Sequence, residues 1–334
     1  MRPAAWPREV PGAERLLCID PRAGTIADAH LADFPSRLRA GDLVVVNDAA
    51  TLPSSLHGRL DGAPLEVRLQ GALADGSWRA VTFGAGDWHT PTEHRPLPPA
   101  LRIGSALAFG DELHATIEAI EGPRLVRLRF DRAEAALFGA LYRLGRPVQY
   151  AYTRAPLELW HTQTSYAARP WAMEQPSAGR PLTFELLLAL RRRGVAIAWL
   201  THAAGLSSTG DAALDESLPL PERYDLPAAT VDAIANTSGR VIAVGTSVVR
   251  ALEGAAVRGF LACGEGETDL RIRAGFELRV VDGLLTGMHE PAASHYDLLQ
   301  AFAPRELLDE AWAQAEQLGY LCHEFGDSSL ILSV

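Results

Sequence analysis

The sequence predicts an α/β protein whose main α/β domain is interrupted by an antiparallel β-barrel domain. Three observations carry this. From Leu56 to Phe130, short alternating runs are separated by Gly, Pro and Asp at the spacing of a small barrel or sandwich. From Pro147 onward, helical and strand periods alternate. Between Arg240 and Glu253, the stretch R-V-I-A-V-G-T-S-V-V-R-A-L-E holds a buried strand, a turn and a helix in immediate succession.

In chain order, Leu16 to Asn47 is mixed structure ending in Gly41-Asp42 and the strand Leu43 to Val46. In the barrel stretch, Leu65-Glu66-Val67-Arg68-Leu69 alternates, as does His114 to Ile120. Leu125 to Phe130 places Val126, Leu128 and Phe130 on one face and Arg127 and Arg129 on the other, the pattern of a solvated barrel wall. An Ala-rich helix from Arg132 to Leu144 closes this part, so the expected boundaries are 1–55 and 146–334 for the main domain and 56–145 for the barrel. Arg154 to Gly179 is rich in proline, aromatic and polar residues and is expected to be a long ordered loop, a length that usually serves function. Thr183 caps a helix through Arg193, Gly194 stops it, and the strand Val195 to Leu200 follows. Next, a strand from Val280 to Leu285 precedes Thr286 to Pro291. The last helix is expected over Pro304 to Leu318 and the terminal strand over Ser329 to Val334.

Composition narrows the function classes. A chain of 334 residues with 48% hydrophobic content can bury a sizeable core. Its three cysteines, Cys18, Cys263 and Cys322, are widely spaced, which argues against a disulfide framework and a cysteine zinc site and fits a reducing cytoplasm. No apolar run reaches membrane-spanning length, and M-R-P-A-A-W-P-R-E-V-P-G lacks the apolar core of a signal peptide. A cytoplasmic protein with no membrane partner, a monomer rather than an oligomer, is expected. All 31 basic residues are arginine, so lysine Schiff bases, lysine general bases and phosphate-loop lysines are excluded. The net charge of −10 disfavours a general nucleic-acid coat but leaves room for a local basic patch.

Polar residues gather at the ends of expected strands, where open α/β sheets place ligands. They are Asn47 and Asp48, His202, Gly245-Thr246-Ser247, Thr286 to Pro291, and Gly326-Asp327. A strand ending in Gly-Thr-Ser and feeding a helix offers free N–H groups at a positive dipole end, suited to a carboxylate, a phosphate or a ribose hydroxyl. Arg250, one turn inside that helix, is placed to meet an anion or a carboxylate. His289 and His295 are six apart with His202 remote and no H-E-x-x-H, so no metal is expected. Neither a G-x-S-x-G elbow nor a G-x-G-x-x-G loop after the first strand is present.

Six segments then occur in order: G-D-L-V-V-V-N (Gly41 to Asn47), Q-T-S-Y (Gln163 to Tyr166), P-S-A-G (Pro176 to Gly179), V-G-T-S-V-V-R-A-L-E (Val244 to Glu253), V-D-G-L-L-T-G-M-H-E-P (Val281 to Pro291) and F-G-D (Phe325 to Asp327). Together they resemble the S-adenosylmethionine:tRNA ribosyltransferase-isomerase family of the queuosine pathway. The resemblance implies an α/β domain interrupted by a β-barrel and a reaction without metal or prosthetic group. In that reaction the ribosyl part of the co-substrate S-adenosylmethionine moves onto the aminomethyl group of 7-aminomethyl-7-deazaguanine in tRNA. It rearranges to an epoxycyclopentanediol while adenine and methionine leave. On this basis His289 or Asp327 is the candidate general base beside the sulfonium, and Glu222 or Asp282 the carboxylate that holds the cation. Gly245, Thr246 and Arg250 are candidates for the methionine carboxylate or ribose hydroxyls, and Pro176, Ser177 and Gly179 for adenine. Asn47, Gln163, Tyr166, His202 and Thr286 complete the substrate-binding candidates.

The chain departs from the family inside these motifs. N-N-T-R stands here as N-D-A-A (Asn47 to Ala50), and P-T-A-G-L-H-F as P-S-A-G-R-P-L-T-F (Pro176 to Phe184). L-H-V-G-x-G-T-F becomes T-H-A-A-G-L-S-S (Thr201 to Ser208), and T-N-F-H-L-P-E-S-T-L becomes T-G-M-H-E-P-A-A-S-H (Thr286 to His295). These changes leave two alternatives open: ribosyl transfer to a small-molecule acceptor, and a non-catalytic relative that binds RNA or protein.

Overall fold

A computed structural model describes residues 1–10, 12–257, 259–291 and 294–332. Its centre is the strand Leu43–Asn47, whose residues are all buried because neighbours cover both faces. Ala196–His202 pairs parallel on one side and Val241–Val244 parallel on the other, with Gly283–Gly287 parallel beyond it. The nine-stranded sheet runs Gly264–Thr268, Glu222–Leu226, Ala196–His202, Leu43–Asn47, Val241–Val244, Gly283–Gly287, Ser328–Leu332, Arg15–Asp20, Thr25–His30. Four adjacent parallel strands bring their carboxyl ends to one edge, so His202, Asn47, Gly245 and Gly287 become neighbours there.

Alternate side chains of a strand point to opposite faces, and the two cores follow that rule. On one face Leu43, Val45 and Ala243 pack with Val249, Leu252 and Leu308. On the other, Val44, Val46 and Ile242 pack with Phe34, Leu186 and Leu190. Each Val, Leu, Ile or Phe side chain among these stabilises the fold by about 1.5–3 kcal/mol on burial. The helix Phe184–Arg192 is capped by Thr183, whose side chain accepts the N–H of Leu186, and Gly194 turns the chain at φ +78°.

The second unit is a closed barrel of Leu113–Ile120, Leu125–Phe130, Trp78–Phe83, Ala63–Ala72, Ser55–Leu60 and Ala106–Phe109, in that order around the wall. Every neighbouring pair is antiparallel, and closure leaves no open edge. Closure depends on Gly58: a Cβ there would lie 2.6 Å from both the Ala108 carbonyl oxygen and the Phe109 ring. Leu56, Val67, Trp78, Phe109, Ile117 and Leu128 fill the barrel core, joined by Leu137 and Leu141 of the helix Glu134–Leu144.

Some expectations change. Alternation over Leu65 to Leu69 suggests a polar outer face, yet Glu66 and Arg68 are 2% and 1% exposed. Burial pushes the Glu66 carboxyl up, but the Arg68 and Arg95 guanidiniums outweigh it and hold the group at about 2. Arg127 and Arg129 do face solvent, paired with Glu118. The stretch Arg154 to Gly179 is not only loop: it contains a helix Leu159–Thr162, a strand Arg169–Ala172 and a 3-10 turn Ser177–Gly179. That strand pairs parallel with Ala49–Thr51, a tertiary contact that local periodicity does not announce. Thr286 and Gly287 lie inside the strand Gly283–Gly287 and do not follow it. The terminal strand spans Ser328–Leu332, and residues 333–334 lie outside the described residues.

Candidate active site

The carboxyl edge is built first by Asn47. Its Nδ2 donates to the His202 carbonyl at 3.0 Å, and its Oδ1 accepts the N–H groups of His202 at 2.9 Å and Ala49 at 3.0 Å. The amide therefore clamps two strand ends and fixes where His202 points. Gln163 does similar work, accepting the Thr51 N–H and donating to the Thr51 carbonyl, each at 2.9 Å. Beside them Asp48 accepts the Thr201 hydroxyl at 2.5 Å, and burial pushes its carboxyl up.

His202 is fully buried, and neither ring nitrogen has a hydrogen-bond partner. Burial holds it at about 4, with Glu222 opposing and Arg250 reinforcing the shift, so the imidazole is neutral at pH 7. Glu222 opens the strand that pairs antiparallel with the end of Ala196–His202. One of its oxygens accepts the Gly205 N–H at 2.7 Å. The other is 3.3 Å from His202 Nε2 and ion-paired with Arg250. Arg250 also donates through Nε to the Leu270 carbonyl at 3.2 Å, while its Nη2 is buried without a partner. An unspent guanidinium donor and an unspent imidazole thus border one carboxylate.

The strand Val241–Val244 ends at Gly245, whose φ of +92° is a conformation that favours glycine. The helix Thr246–Ala255 starts there with no side-chain cap, and the Val248 N–H turns back to the Gly245 carbonyl, so the Thr246 and Ser247 N–H groups lie at the positive dipole end, the geometry that suits an anion. Across from it lies the turn Ser177–Gly179, and a Cβ on Gly245 would stand 3.5 Å from that of Ala178. Gly179 in turn admits the Tyr166 hydroxyl, which a Cβ would meet at 2.1 Å. Burial pushes the Tyr166 phenol up, with the charge of Asp48 adding. Pro176, Ser177, Gly179, Tyr166, Gly245 and Thr246 therefore form one corner.

On the opposite flank, Thr286 Oγ1 lies 2.7 Å from His289 Nε2. The His289 ring stacks on His295 with centroids 5.1 Å apart at 10°. Burial holds His289 well below the usual histidine range, with His295 and His323 adding. Burial also lowers His295, with Arg250 reinforcing and Glu222 opposing, which ties this flank to the Arg250 pair.

Two candidate carboxylates are engaged by backbone N–H groups. Asp327 is 1% exposed, and its oxygens accept the N–H groups of Arg15 and Leu321, each at 2.8 Å, besides pairing with Arg8. A carboxylate whose oxygens are engaged in this way ties the Arg8 and Arg15 segment to the Leu321 turn. Asp282 accepts the Val241 N–H at 2.8 Å, at the amino end of the parallel strands. That is the edge opposite Gly245, so Asp282 does not meet a ligand held there. Glu290, Cys322 and His323 bring ligand-type atoms within 4.8 Å of one another. Burial, with Glu290 adding, pushes the Cys322 thiol up to about 11, which holds it protonated. Unforeseen in the sequence are Glu174 and Glu324, each paired with a tyrosine hydroxyl; the composition of the Arg154 to Gly179 stretch is the only signal for Glu174, and Glu324 has none.

Residues 2–331 match the family described as queuosine biosynthesis protein. An S-adenosylmethionine:tRNA ribosyltransferase-isomerase of Anaeromyxobacter dehalogenans is 36% identical, over 96% of this chain and 92% of that protein. One of Thermus thermophilus is 35% identical, over 92% of this chain and 89% of that protein. A crystal structure of an S-adenosylmethionine tRNA ribosyltransferase from Thermotoga maritima is similar with a TM-score of 0.53 at 25% identity, covering 99% of this chain and 96% of that one. On this chain-long match, the protein belongs to the queuosine biosynthesis protein family.

Proposed function

We propose that this enzyme transfers the ribosyl moiety of S-adenosylmethionine onto 7-aminomethyl-7-deazaguanine in tRNA and isomerises it, giving epoxyqueuosine-tRNA and releasing adenine and methionine. The observation that carries the reading is a buried carboxylate, Glu222, set between His202 and Arg250 at the sheet edge where the Thr246 helix begins. A sulfonium facing Glu222 at about 4 Å gains roughly 4 kcal/mol at an effective dielectric near 20. Arg250 Nη2 and the Gly245-Thr246 turn take the methionine carboxylate or ribose hydroxyls. Adenine sits in the corner of Pro176, Ser177, Gly179 and Tyr166.

His289, neutral and oriented by Thr286, accepts one proton from the carbon beside the sulfonium. His202, equally neutral, lies ready to hold a ribose hydroxyl or to receive a later proton. Asn47 and Gln163 position these groups through the backbone, and Asp327 holds the Arg8 and Arg15 segment. S-adenosylmethionine serves as co-substrate with no prosthetic group or metal assigned. The relatives' name supports tRNA as the acceptor and hence a cytoplasmic reaction. Among the described residues no helix is long and apolar enough to cross a membrane. We assign residues 56–145 to an inserted unit because the barrel has its own core.

The test is adenine release from S-adenosylmethionine by purified protein with tRNA carrying 7-aminomethyl-7-deazaguanine, and with the same tRNA carrying guanine. Release only with the modified tRNA is expected. Release that ignores tRNA and requires a small-molecule acceptor would sink the assignment.

A further inference from the structure

The helix Phe184–Arg192 runs along the sheet from the corner of Ser177 and Gly179 to the amino edge of the parallel strands. Thr183 caps it shortly after Gly179, and Gly194 ends it just before Ala196 pairs with Leu43. Leu186 and Leu190 are committed to the core, so the opposite stripe faces outward. On that stripe Phe184 is 60% and Leu188 49% exposed, one turn apart, and the exposed Arg191 and Arg192 continue it. With 9 residues the helix is roughly 14 Å long, about four nucleotides of a stacked strand.

The far end of the helix collects positive charge from two segments. Arg191, Arg192 and Arg193 close the helix, and Arg37 and Arg39 come from the chain packed against it. Arg193 Nη2 donates to the Leu38 carbonyl at 3.5 Å, and the Gly41 N–H donates to the Gly194 carbonyl at 3.0 Å. All five arginines are exposed. The carboxylates of residues 31–42 and 183–194 are Asp33, Asp42 and Glu185. Asp42 is buried, with Arg240 at 2.6 Å and Arg39 at 3.6 Å, so one buried charge meets two guanidiniums. Asp33 accepts the His30 N–H, and Glu185 lies in the first turn of the helix, at its other end. Among the described residues Arg37, Arg191, Arg192 and Arg193 have no ion-pair partner. The negative dipole end favours cations on the last turn, but it does not account for Arg37, which arrives from a separate segment. In a chain of net charge −10 this is a local positive excess.

Resting on the tRNA reading proposed above, we infer that the outer stripe of the helix Phe184–Arg192, together with Arg37 and Arg39, is the surface on which the phosphodiester backbone of the RNA docks. The five guanidiniums hold phosphates at the far end, and Phe184 and Leu188 lie under a base or sugar between those phosphates and the substrate corner. Charge complementarity selects this occupant. A bilayer would be met by only two apolar side chains, because Leu186 and Leu190 are spent in the core, whereas a polyanion uses every guanidinium. The paired arginines of the barrel wall are different: Arg127 and Arg129 share Glu118, so they offer little net charge to a phosphate. Contacts of this kind fix the register of an RNA on the protein and carry no base preference.

The experiment titrates the intact protein with tRNA carrying guanine at the target position, by fluorescence anisotropy between about 50 and about 200 mM salt. The triple variant Arg191→Gln, Arg192→Gln, Arg193→Gln should bind at least about tenfold more weakly, and its slope of log affinity against log salt should be shallower by about 2–3. Arg37→Gln should lower the slope by about 1. Phe184→Ala should weaken binding with the slope unchanged, because an apolar or stacking contact releases no counterion. Arg127→Gln with Arg129→Gln should leave affinity and slope at wild type. S-adenosylmethionine affinity should stay at the wild-type value in every variant, with a cooperative melt confirming the fold. A triple variant with wild-type affinity and slope, or a loss confined to the barrel-wall variant, overturns the inference. So does a triple variant that keeps tRNA binding but loses binding to phosphatidylcholine vesicles containing phosphatidylserine. Wild type that binds tRNA through these arginines yet releases no adenine with modified tRNA sinks the ribosyl-transfer reading alone. Wild type that releases adenine, with KM for modified tRNA unchanged in the triple variant, sinks the docking surface alone.

Discussion

The Glu222 carboxylate lies 3.3 Å from Nε2 of the fully buried His202, and the same oxygen is ion-paired with Arg250. The pair keeps a negative charge in the sheet edge while the imidazole stays neutral. Glu222 and Arg250 are 6% and 9% exposed, so neither is solvated enough to stand alone. Arg250→Met should therefore cost about 3–5 kcal/mol of folding stability, the usual cost of stranding a buried charge. Adding Glu222→Gln should restore part of it. Urea denaturation of the two single variants and the double variant measures this, and strictly additive losses would contradict the pairing.

His202 makes stability depend on pH. Its folded value of about 4 lies below the usual 6.5, so between these limits the unfolded chain binds the proton and the folded chain does not. The contribution is complete above pH 6.5 and is lost as pH falls through that window toward 4. The loss is roughly 3 kcal/mol by the linkage relation. Replacing His202 with Asn should flatten the slope between pH 6.5 and 4 in denaturant midpoints; an unchanged slope would place the titration elsewhere.

Gly179 and Tyr166 form a mutual fit. A methyl at Gly179 would lie 2.1 Å from the Tyr166 hydroxyl but 3.3 Å from the ring carbon that bears it. Gly179→Ala is expected to cost about 1–3 kcal/mol as overpacking. Tyr166→Phe added to it should recover most of that loss, because only the oxygen collides. A double-mutant cycle on melting temperature and S-adenosylmethionine affinity checks the coupling.

His289 and Asp327 should separate by phenotype. His289→Gln leaves the fold near wild type and lowers turnover by about 10²–10⁴-fold, the usual contribution of a positioned proton acceptor. Asp327→Asn removes the charge that faces Arg8 inside the chain and should lower stability first. Circular dichroism melts set beside adenine release distinguish the two. An Asp327→Asn protein as stable as wild type yet inactive would restore Asp327 as the base.

Gly245 carries strain that only glycine accepts. Its φ of +92° makes Gly245→Ala cost about 1–3 kcal/mol, while the 3.5 Å approach to Ala178 is ordinary contact. Because the same backbone aims the first N–H groups of the Thr246 helix, affinity for S-adenosylmethionine should fall with stability. Calorimetric titration that finds full affinity in the variant would detach this turn from the ligand.

The amino-acid pattern alone carried the α/β class, the barrel and the strand, turn and helix around Gly245, because these depend on local period and on glycine and cap residues. Thr183 and Gly194 bound their helix where cap chemistry says they should. The motif series also carried the grouping of His202, Gly245 and Thr286 along one sheet edge, since parallel strands end together. What tertiary packing decided was the role of each polar group. Asp327 and Asp282 have the residue type of a base or cation partner, yet backbone N–H groups engage the first and the wrong sheet edge removes the second. Glu66 and Arg68 alternate like an exposed face and are buried as an ion pair, which Arg95 joins from a distant segment through the second Glu66 oxygen. Glu174 and Tyr150 are far apart in period but meet through a hydrogen bond. Periodicity records which face a residue takes on its own element; the field and the partners around a carboxylate come from other elements, and only the folded chain brings those together.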